Sequence, residues 1–309
     1  MESGRDKDKI IIILGPTSSG KSVIAIRLAR KFNGEIISAD SRQIYRGMDI
    51  GTGKVTAAEQ KMARHWMLDV ASPKTNFNVT QFKRKAEKII SDILERKKVP
   101  IICGGTGFWI KAVVDNVSFP RVKPDWKLRE KLGDLSSMKL FSLLKKLDSE
   151  RARTIDKKNK VRLIRAIEIC KKLGRVPKIK TFDFTADKIE FTKFLQIGVD
   201  VPRETLNEKI RKRLKKRFQA GLVEEVKTLK KTGLSWKKIQ SFGLCYFWVP
   251  LYLEGKISLD ELEERIYLAE KDYAKRQMTW FRKDKRIIWL RSYADIEREA
   301  KRFLSYSYK

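Results

Sequence analysis

The sequence is poor in the residues that build metal and redox centres. It holds one histidine, His65, and three cysteines, Cys103, Cys170 and Cys245, set far apart in apolar neighbourhoods. A lone histidine cannot build a zinc site, and no cysteine pair has metal-ligand spacing. The cysteines therefore read as small core residues. Long hydrophobic runs are missing too. None approaches the ~18 residues that a membrane span needs, and the first apolar run, residues 10–14, is too short for the core of a signal peptide. These absences point to a cytoplasmic chain that engages no membrane. Repeats and low-complexity tracts are also lacking. Acid is the last thing in short supply: 38 Asp and Glu stand against 70 Lys and Arg in 309 residues, a net charge of +32. A lysine-rich thermophile-type surface would carry comparable acid. The surplus reads instead as an attractor for polyanions, nucleic acid first among them.

What is present is an alternation of strand and helix signals. Runs at 10–14, 35–39, 66–70 and 99–103 read as buried strands, and stretches at 21–32, 79–96 and 107–114 as helices. This order predicts an α/β fold: a parallel sheet with helices on both faces and ligands at the carboxyl edge of its strands. From Val117 to about Phe194 the strand signals fade. A stiff connector at 119–124 leads into helices at 125–132, 136–147 and 160–173, the last closed by Gly174 and Pro177. We read 117–194 as a helical insertion domain in a core domain made of 1–116 and 195–309. The core resumes with a strand at 194–199, helices at 204–218, 222–230 and 259–283, and a final strand at 287–290.

Gly15-Pro16-Thr17-Ser18-Ser19-Gly20-Lys21-Ser22 fits G-x-x-x-x-G-K-[ST], and it follows a strand signal and opens a helix. Such a P-loop makes the sheet P-loop NTPase-like. Its backbone amides and helix N-terminus cradle phosphate oxygens, Lys21 adds a point charge, and the Ser22 hydroxyl is placed to bind Mg²⁺. The loop implies a diphosphate or triphosphate without specifying a nucleotide. Asp40, at the end of the second strand, is either a proton acceptor or a turn-capping aspartate. The long polar loop that follows it favours function. Gly104-Gly105-Thr106-Gly107 is a third glycine-lined strand end, where Thr106 either caps a helix or meets a ligand. Lys275, Arg276, Thr279 and Arg282 cluster cations near the end of a long helix, with Trp280 and Phe281 read as core anchors. The helix around 203–217 holds eight basic residues beside an apolar stripe of Ile210, Leu214 and Phe218. It offers phosphates a basic face, or merely a solvated one.

The segments GPTSSGKS, ISADSRQIYRGMDIGTGK, GGTGFW, RLIRAIEI and KRQMTWFRK, in that order, closely resemble the tRNA dimethylallyltransferases (tRNA isopentenyltransferases). The resemblance covers residues 10–289 and includes GLVEEV. DSRQIYRGMDIGT is far more specific than the P-loop. The bacterial type is the closer comparison, since no zinc-finger extension is seen. One stretch departs: at 240–247 the family carries a charge where this chain has Cys245 or Phe247. The resemblance implies dimethylallyl diphosphate as donor and Mg²⁺ as cofactor. The acceptor it implies is N6 of the adenosine 3′ of the anticodon (tRNA position 37), in tRNAs reading codons that begin with U.

Carried onto this chain, the resemblance puts the donor diphosphate on Gly15–Ser22 with Lys275, Arg276 and Gln277. It makes Asp40 the general base, with Thr106 beside it at the reacting base. It assigns tRNA contacts to Asp40, Ser41, Arg42, Gln43, Thr106 and Arg129, and to Val161, Arg162, Leu163, Ile164 and Arg165 of the insertion. The expected partners are the anticodon stem-loop of tRNA and the donor, bound by a monomer. Two rivals stand beside this reading. A P-loop nucleotide or nucleoside kinase, or an NTPase, would share the loop but has no need of so large a positive charge. A non-catalytic RNA-binding protein would have no need of intact Lys21, Ser22 and Asp40.

Overall fold

The computed structural model describes residues 8–177 and 193–305. Readings that fall on the distal part of the expected insertion, 178–192, or on the chain ends lie outside the described residues.

Six parallel strands form one sheet: β1 (Lys9–Leu14), β2 (Gly34–Ser38), β3 (His65–Trp66), β4 (Val99–Gly104), β5 (Lys193–Val199) and β6 (Ile288–Leu290). Their order is β3-β2-β4-β1-β5-β6. The central strand, KIIIIL, is apolar on both sides because both of its faces are covered. Side chains alternate across it: Ile10, Ile12 and Leu14 enter one core, Ile11 and Ile13 the other.

The first four helices are α1 (Lys21–Lys31), α2 (Ala57–Met62), α3 (Val79–Glu95) and α4 (Gly107–Val114). Next come α5 (Trp126–Gly133), α6 (Ser137–Leu147), α7 (Ser149–Thr154) and α8 (Lys160–Leu173). After β5 follow α9 (Arg203–Gln219), α10 (Leu222–Lys231), α11 (Trp236–Gln240), α12 (Cys245–Leu253) and α13 (Leu259–Phe281), and α14 (Tyr293–Ser305) follows β6. Residues of α1 and α14 cover one face of the sheet, and residues of α3, α4, α9, α10, α12 and α13 the other. The starts of α3 and α13 are written locally. Asn78 with Gln81, and Ser258 with Glu261, form reciprocal capping boxes that satisfy otherwise orphaned amides.

The chain forms two units, one beginning at Asn116 and the other containing the whole sheet. The unit beginning at Asn116, here the second unit, has its own core, built on Leu140, Leu144, Leu163 and Ile167. Asp125, Ser136 and Asn159 cap α5, α6 and α8 by accepting from the amides of Leu128, Lys139 and Arg162.

Two sequence readings are corrected, and one helix without a sequence expectation is added. The strand expected at 66–70 stops at Trp66, because Met67 and Asp69 take left-handed backbone (φ 65° and 56°). Met67 is drawn into the core, and Asp69 turns to pair with Lys54 at 2.6 Å. Residues 245–253 form a helix despite Pro250, since Cys245, Tyr246 and Val249 bury into the sheet's core. Trp280 is no core anchor: it is 40% exposed, while Phe281 is buried.

Candidate active site

The P-loop joins β1 to α1. Ser18 and Gly20 adopt left-handed backbone (φ 61° and 88°), and α1 starts without a side-chain cap, so its first amides stay free for a ligand. Thr17, Ser18, Gly20, Lys21 and Ser22 line a cleft of about 570 Å³. Gly15, Pro16 and Ser19 shape the loop from behind: the Pro16 carbonyl accepts from Lys21 Nζ at 3.1 Å, and a Cβ on Gly15 would meet Ser19 Oγ at 3.1 Å. The hydroxyls of Ser18 and Ser19 are buried without a hydrogen-bond partner among the described residues. Burial lowers the Lys21 pKa, an effect opposed by Cys103 and Asp40 nearby.

Asp40 follows β2 on the same cleft. Its Oδ1 accepts from the amides of Arg42 (2.8 Å) and Gln43 (3.4 Å), while Oδ2 takes no hydrogen bond among the described residues. The turn-capping reading thus holds for Oδ1, and Oδ2 is left facing the cleft without a partner among the described residues. Thr106 does not cap α4; its Oγ1 accepts from the Ser41 amide at 3.1 Å, tying the third strand end to the Asp40 loop. Ser41, Arg42 and Gln43 also line the cleft, and Arg42 donates to the Phe242 carbonyl at 2.7 Å.

Two long helices complete the wall. On α13, Glu270, Tyr273, Arg276 and Gln277 face the cleft. Gln277 braces the loop: Oε1 accepts from the Thr17 amide at 2.8 Å and Nε2 donates to the Gly105 carbonyl at 2.9 Å. Lys275, two residues away and so on the opposite side of the helix, is exposed and absent from the lining. It is corrected to a surface residue. From α9 come Lys209, Arg213 and Arg217. Arg213 donates to Thr17 Oγ1 at 3.2 Å and to the Gly53 carbonyl at 2.9 Å. Burial brings its pKa down to about 10, helped by the charge of Arg217, so it stays cationic at neutral pH. Arg217 pairs with Glu270, and both are buried. Burial lowers the pKa of the cleft-lining His65, opposed by the Ala63 carbonyl at 2.8 Å from its Nδ1. The arrangement can hold a diphosphate on cations and amides and take a proton a short way off.

The IPP transferase family model matches residues 43–284. The tRNA dimethylallyltransferase of Acetivibrio thermocellus is 39% identical over 287 residues, covering 92% of this chain and 91% of that protein. The chain belongs to the IPP transferase family. Among solved structures, the full-length tRNA isopentenylpyrophosphate transferase of Bacillus halodurans is 32% identical with a TM-score of 0.70, covering 97% of this chain and 96% of its own. The tRNA delta(2)-isopentenylpyrophosphate transferase of Staphylococcus epidermidis is 36% identical with a TM-score of 0.69, covering 96% of this chain and 99% of its own.

For an IPP transferase the remaining expected contacts lie in the second unit. Val161 and Arg162 are exposed and Ile164 is half-buried. Leu163 is fully buried in that unit's core, so its side chain is corrected from a tRNA contact to a packing residue. Arg129 and Arg165 both pair with Glu168, which is 1% exposed. Burial alone would raise the Glu168 carboxyl, but bonds from Arg129, the Asp125 amide and Arg165 override it and hold it at about 2.

Sequence reasoning gave no role to Arg213, Arg217, Glu270 and Tyr273 as individuals. A signal for two of them exists. Arg217 falls on the buried stripe with Ile210 and Leu214, and Glu270 on that of Ile266 and Ala274. A charge on an apolar stripe requires a buried partner. The departing stretch 240–247 still reaches the site: Phe242, Gly243, Leu244 and Tyr246 line the cleft.

Proposed function

We propose that this chain transfers a dimethylallyl group from dimethylallyl diphosphate to N6 of the adenosine 3′ of the anticodon (position 37), in tRNAs reading codons that begin with U. Its close relatives, named as tRNA dimethylallyltransferases, support the reading. The observation that carries it is one cleft in which the P-loop, Lys21 and Arg213 stand beside a carboxylate with an unengaged oxygen. The nucleophile is the exocyclic amine. As the N6–carbon bond forms, the allylic carbon–oxygen bond breaks and diphosphate leaves. Asp40 Oδ2 takes the amine's proton. Negative charge growing on the leaving group meets the P-loop amides, Lys21 and Arg213, fixed in place before the reaction. The target base has to swing out of its stack to arrive, at a cost of about a few kcal/mol.

Mg²⁺ fits the residues present. The Ser22 hydroxyl is a hard oxygen donor on the same cleft, beside the P-loop amides that hold the phosphates. No group of three His, Cys, Asp or Glu among the described residues forms an all-protein cage. Such a donor set suits a cation shared with substrate phosphates. When bound, the ion supplies charge neutralisation on the departing diphosphate.

Exposed bases of the second unit, Arg162 among them, add affinity for the anticodon stem-loop, whose recognition rests on shape and splayed bases. The enzyme acts as a cytoplasmic monomer; no helix of the described residues is long and apolar enough to cross a membrane. Incubation with unmodified tRNA, Mg²⁺ and labelled dimethylallyl diphosphate, run beside labelled ATP, tests the proposal. Label moving to tRNA from the prenyl donor is expected. Transfer or hydrolysis from ATP alone would favour the kinase or NTPase reading.

A further inference from the structure

The loop from Asp40 to Lys54 lines the cleft without regular strand or helix, and three amides of its distal part converge on one carboxylate. Glu225, in the first turn of α10, accepts three consecutive backbone amides of that loop: Asp49 (2.7 Å), Ile50 (2.6 Å) and Gly51 (3.0 Å). The same carboxylate accepts the hydroxyl of Tyr246 at 2.8 Å, from α12. An acid in a first helical turn commonly does no more than complement the helix dipole. Three charge-assisted bonds to a remote loop are a different task. The loop is also fitted to its surroundings. A Cβ on Gly51 would lie 2.6 Å from the Tyr246 ring, and one on Gly53 would lie 1.8 Å from the Arg213 guanidinium.

Two residues beyond the pinned amides, the Gly53 carbonyl accepts from Arg213 at 2.9 Å and from Gln43 at 3.3 Å. Arg213 then reaches Thr17 of the P-loop, and Gln43 shares the Asp40 turn. A single carbonyl thereby sets the position of a cation on the diphosphate side and of the loop that carries the base. We propose that Glu225, itself held by Tyr246, is a positioning residue for transfer: it fixes residues 49–51 so that the Gly53 carbonyl aims Arg213 at the donor diphosphate. The inference rests on the prenyl-transfer reading of the cleft.

Glu225→Gln keeps the size but turns an amide NH₂ toward loop donors, releasing part of the clamp. A displacement of about 1 Å at a site costs on the order of 100-fold. We expect a single-turnover rate about 100-fold lower at saturating tRNA and donor, together with weaker binding of inorganic pyrophosphate. Tyr246→Phe, which leaves the three amides satisfied, should show a smaller loss of both. The deciding measurement is the cycle with Arg213→Ala. If Glu225 acts through Arg213, Glu225→Gln should change rate and pyrophosphate affinity little further in that background, because coupled sites are not additive. An equal loss in both backgrounds would overturn the proposal, as would wild-type rate and affinity in Glu225→Gln. If Glu225→Gln fails to fold, Tyr246→Phe in the same cycle decides by the same criteria. A wild-type protein that transfers no prenyl group would count against the function, while pyrophosphate affinity across the cycle would still decide the clamp.

Discussion

Strand β2 has a carboxylate near each end, and the two live in opposite chemistry. Glu35, near the amino end, is 1% exposed, and both its oxygens are taken. Arg96 donates to both oxygens, Lys98 to Oε1 at 2.8 Å and Trp66 Nε1 to Oε2 at 2.8 Å. Asp40, just past the carboxyl end, is half-buried, spends one oxygen on its own turn and keeps the other unengaged. The strand is the same; the edge differs. Carboxyl ends of parallel strands are where side chains meet a ligand, and here they open onto the P-loop, whereas Glu35 at the other end is met by Arg96, Lys98 and Trp66. A carboxylate's role follows from which partners remain available to it, not from its residue type or burial alone.

Exchanging each acid for its amide sharpens this contrast most. Asp40→Asn still accepts hydrogen bonds but is a far poorer base, so turnover should fall by about 10²–10⁴-fold with both substrates still bound. Single-turnover transfer at saturation measures it. Near-wild-type turnover would leave Asp40 as a turn cap, and lost donor binding restored by high Mg²⁺ would make it a metal partner.

Lys21→Ala removes the cleft-lining cation that the proposed reaction sets against the departing diphosphate. We expect a loss of about 10²–10³-fold in rate, the scale of one preorganised charge-stabilising group. Affinity for tRNA, read by filter binding, should stay within a few fold. A variant that lost tRNA but kept the donor would invert the two ends of the cleft.

Arg162→Ala tests the second unit, where Arg162 is exposed and Arg165 is engaged by Glu168. It should raise KM for tRNA and leave that for the donor unchanged. The slope of log affinity against log salt should become shallower by about one. A raised KM for the donor alone would break the assignment.

The smallest effect on rate belongs to Glu35→Gln, for which turnover should be that of the wild type. Stability should change instead. Hydrogen bonds from Arg96 outweigh burial and hold the Glu35 carboxyl at about 2, below its ordinary 4.5. A depressed acid contributes stability that is fully present above 4.5 and is lost as pH falls through about 2. Acid unfolding followed by circular dichroism should therefore show a weaker pH dependence in the variant over that window.

By itself the sequence determined the parts whose causes are local. The P-loop turn, the strand at β1 and the bounds of α4 and α8 follow from glycine spacing, apolar period and capping chemistry within a few residues. The ordered segments from GPTSSGKS to KRQMTWFRK carried the family. Tertiary structure alone decided what joins distant segments. Arg213 and Thr17 are 196 residues apart, Gln277 and Thr17 260, and Glu225 and Asp49 176. No periodicity encodes such pairs, because each arises only when helices dock on a closed sheet. The same holds for β3, where burial of Met67 and the Lys54–Asp69 pair overrode a run that reads locally as strand. It holds for α12, where packing of Tyr246 and Val249 against the core outweighed the hydrogen bond that Pro250 cannot donate.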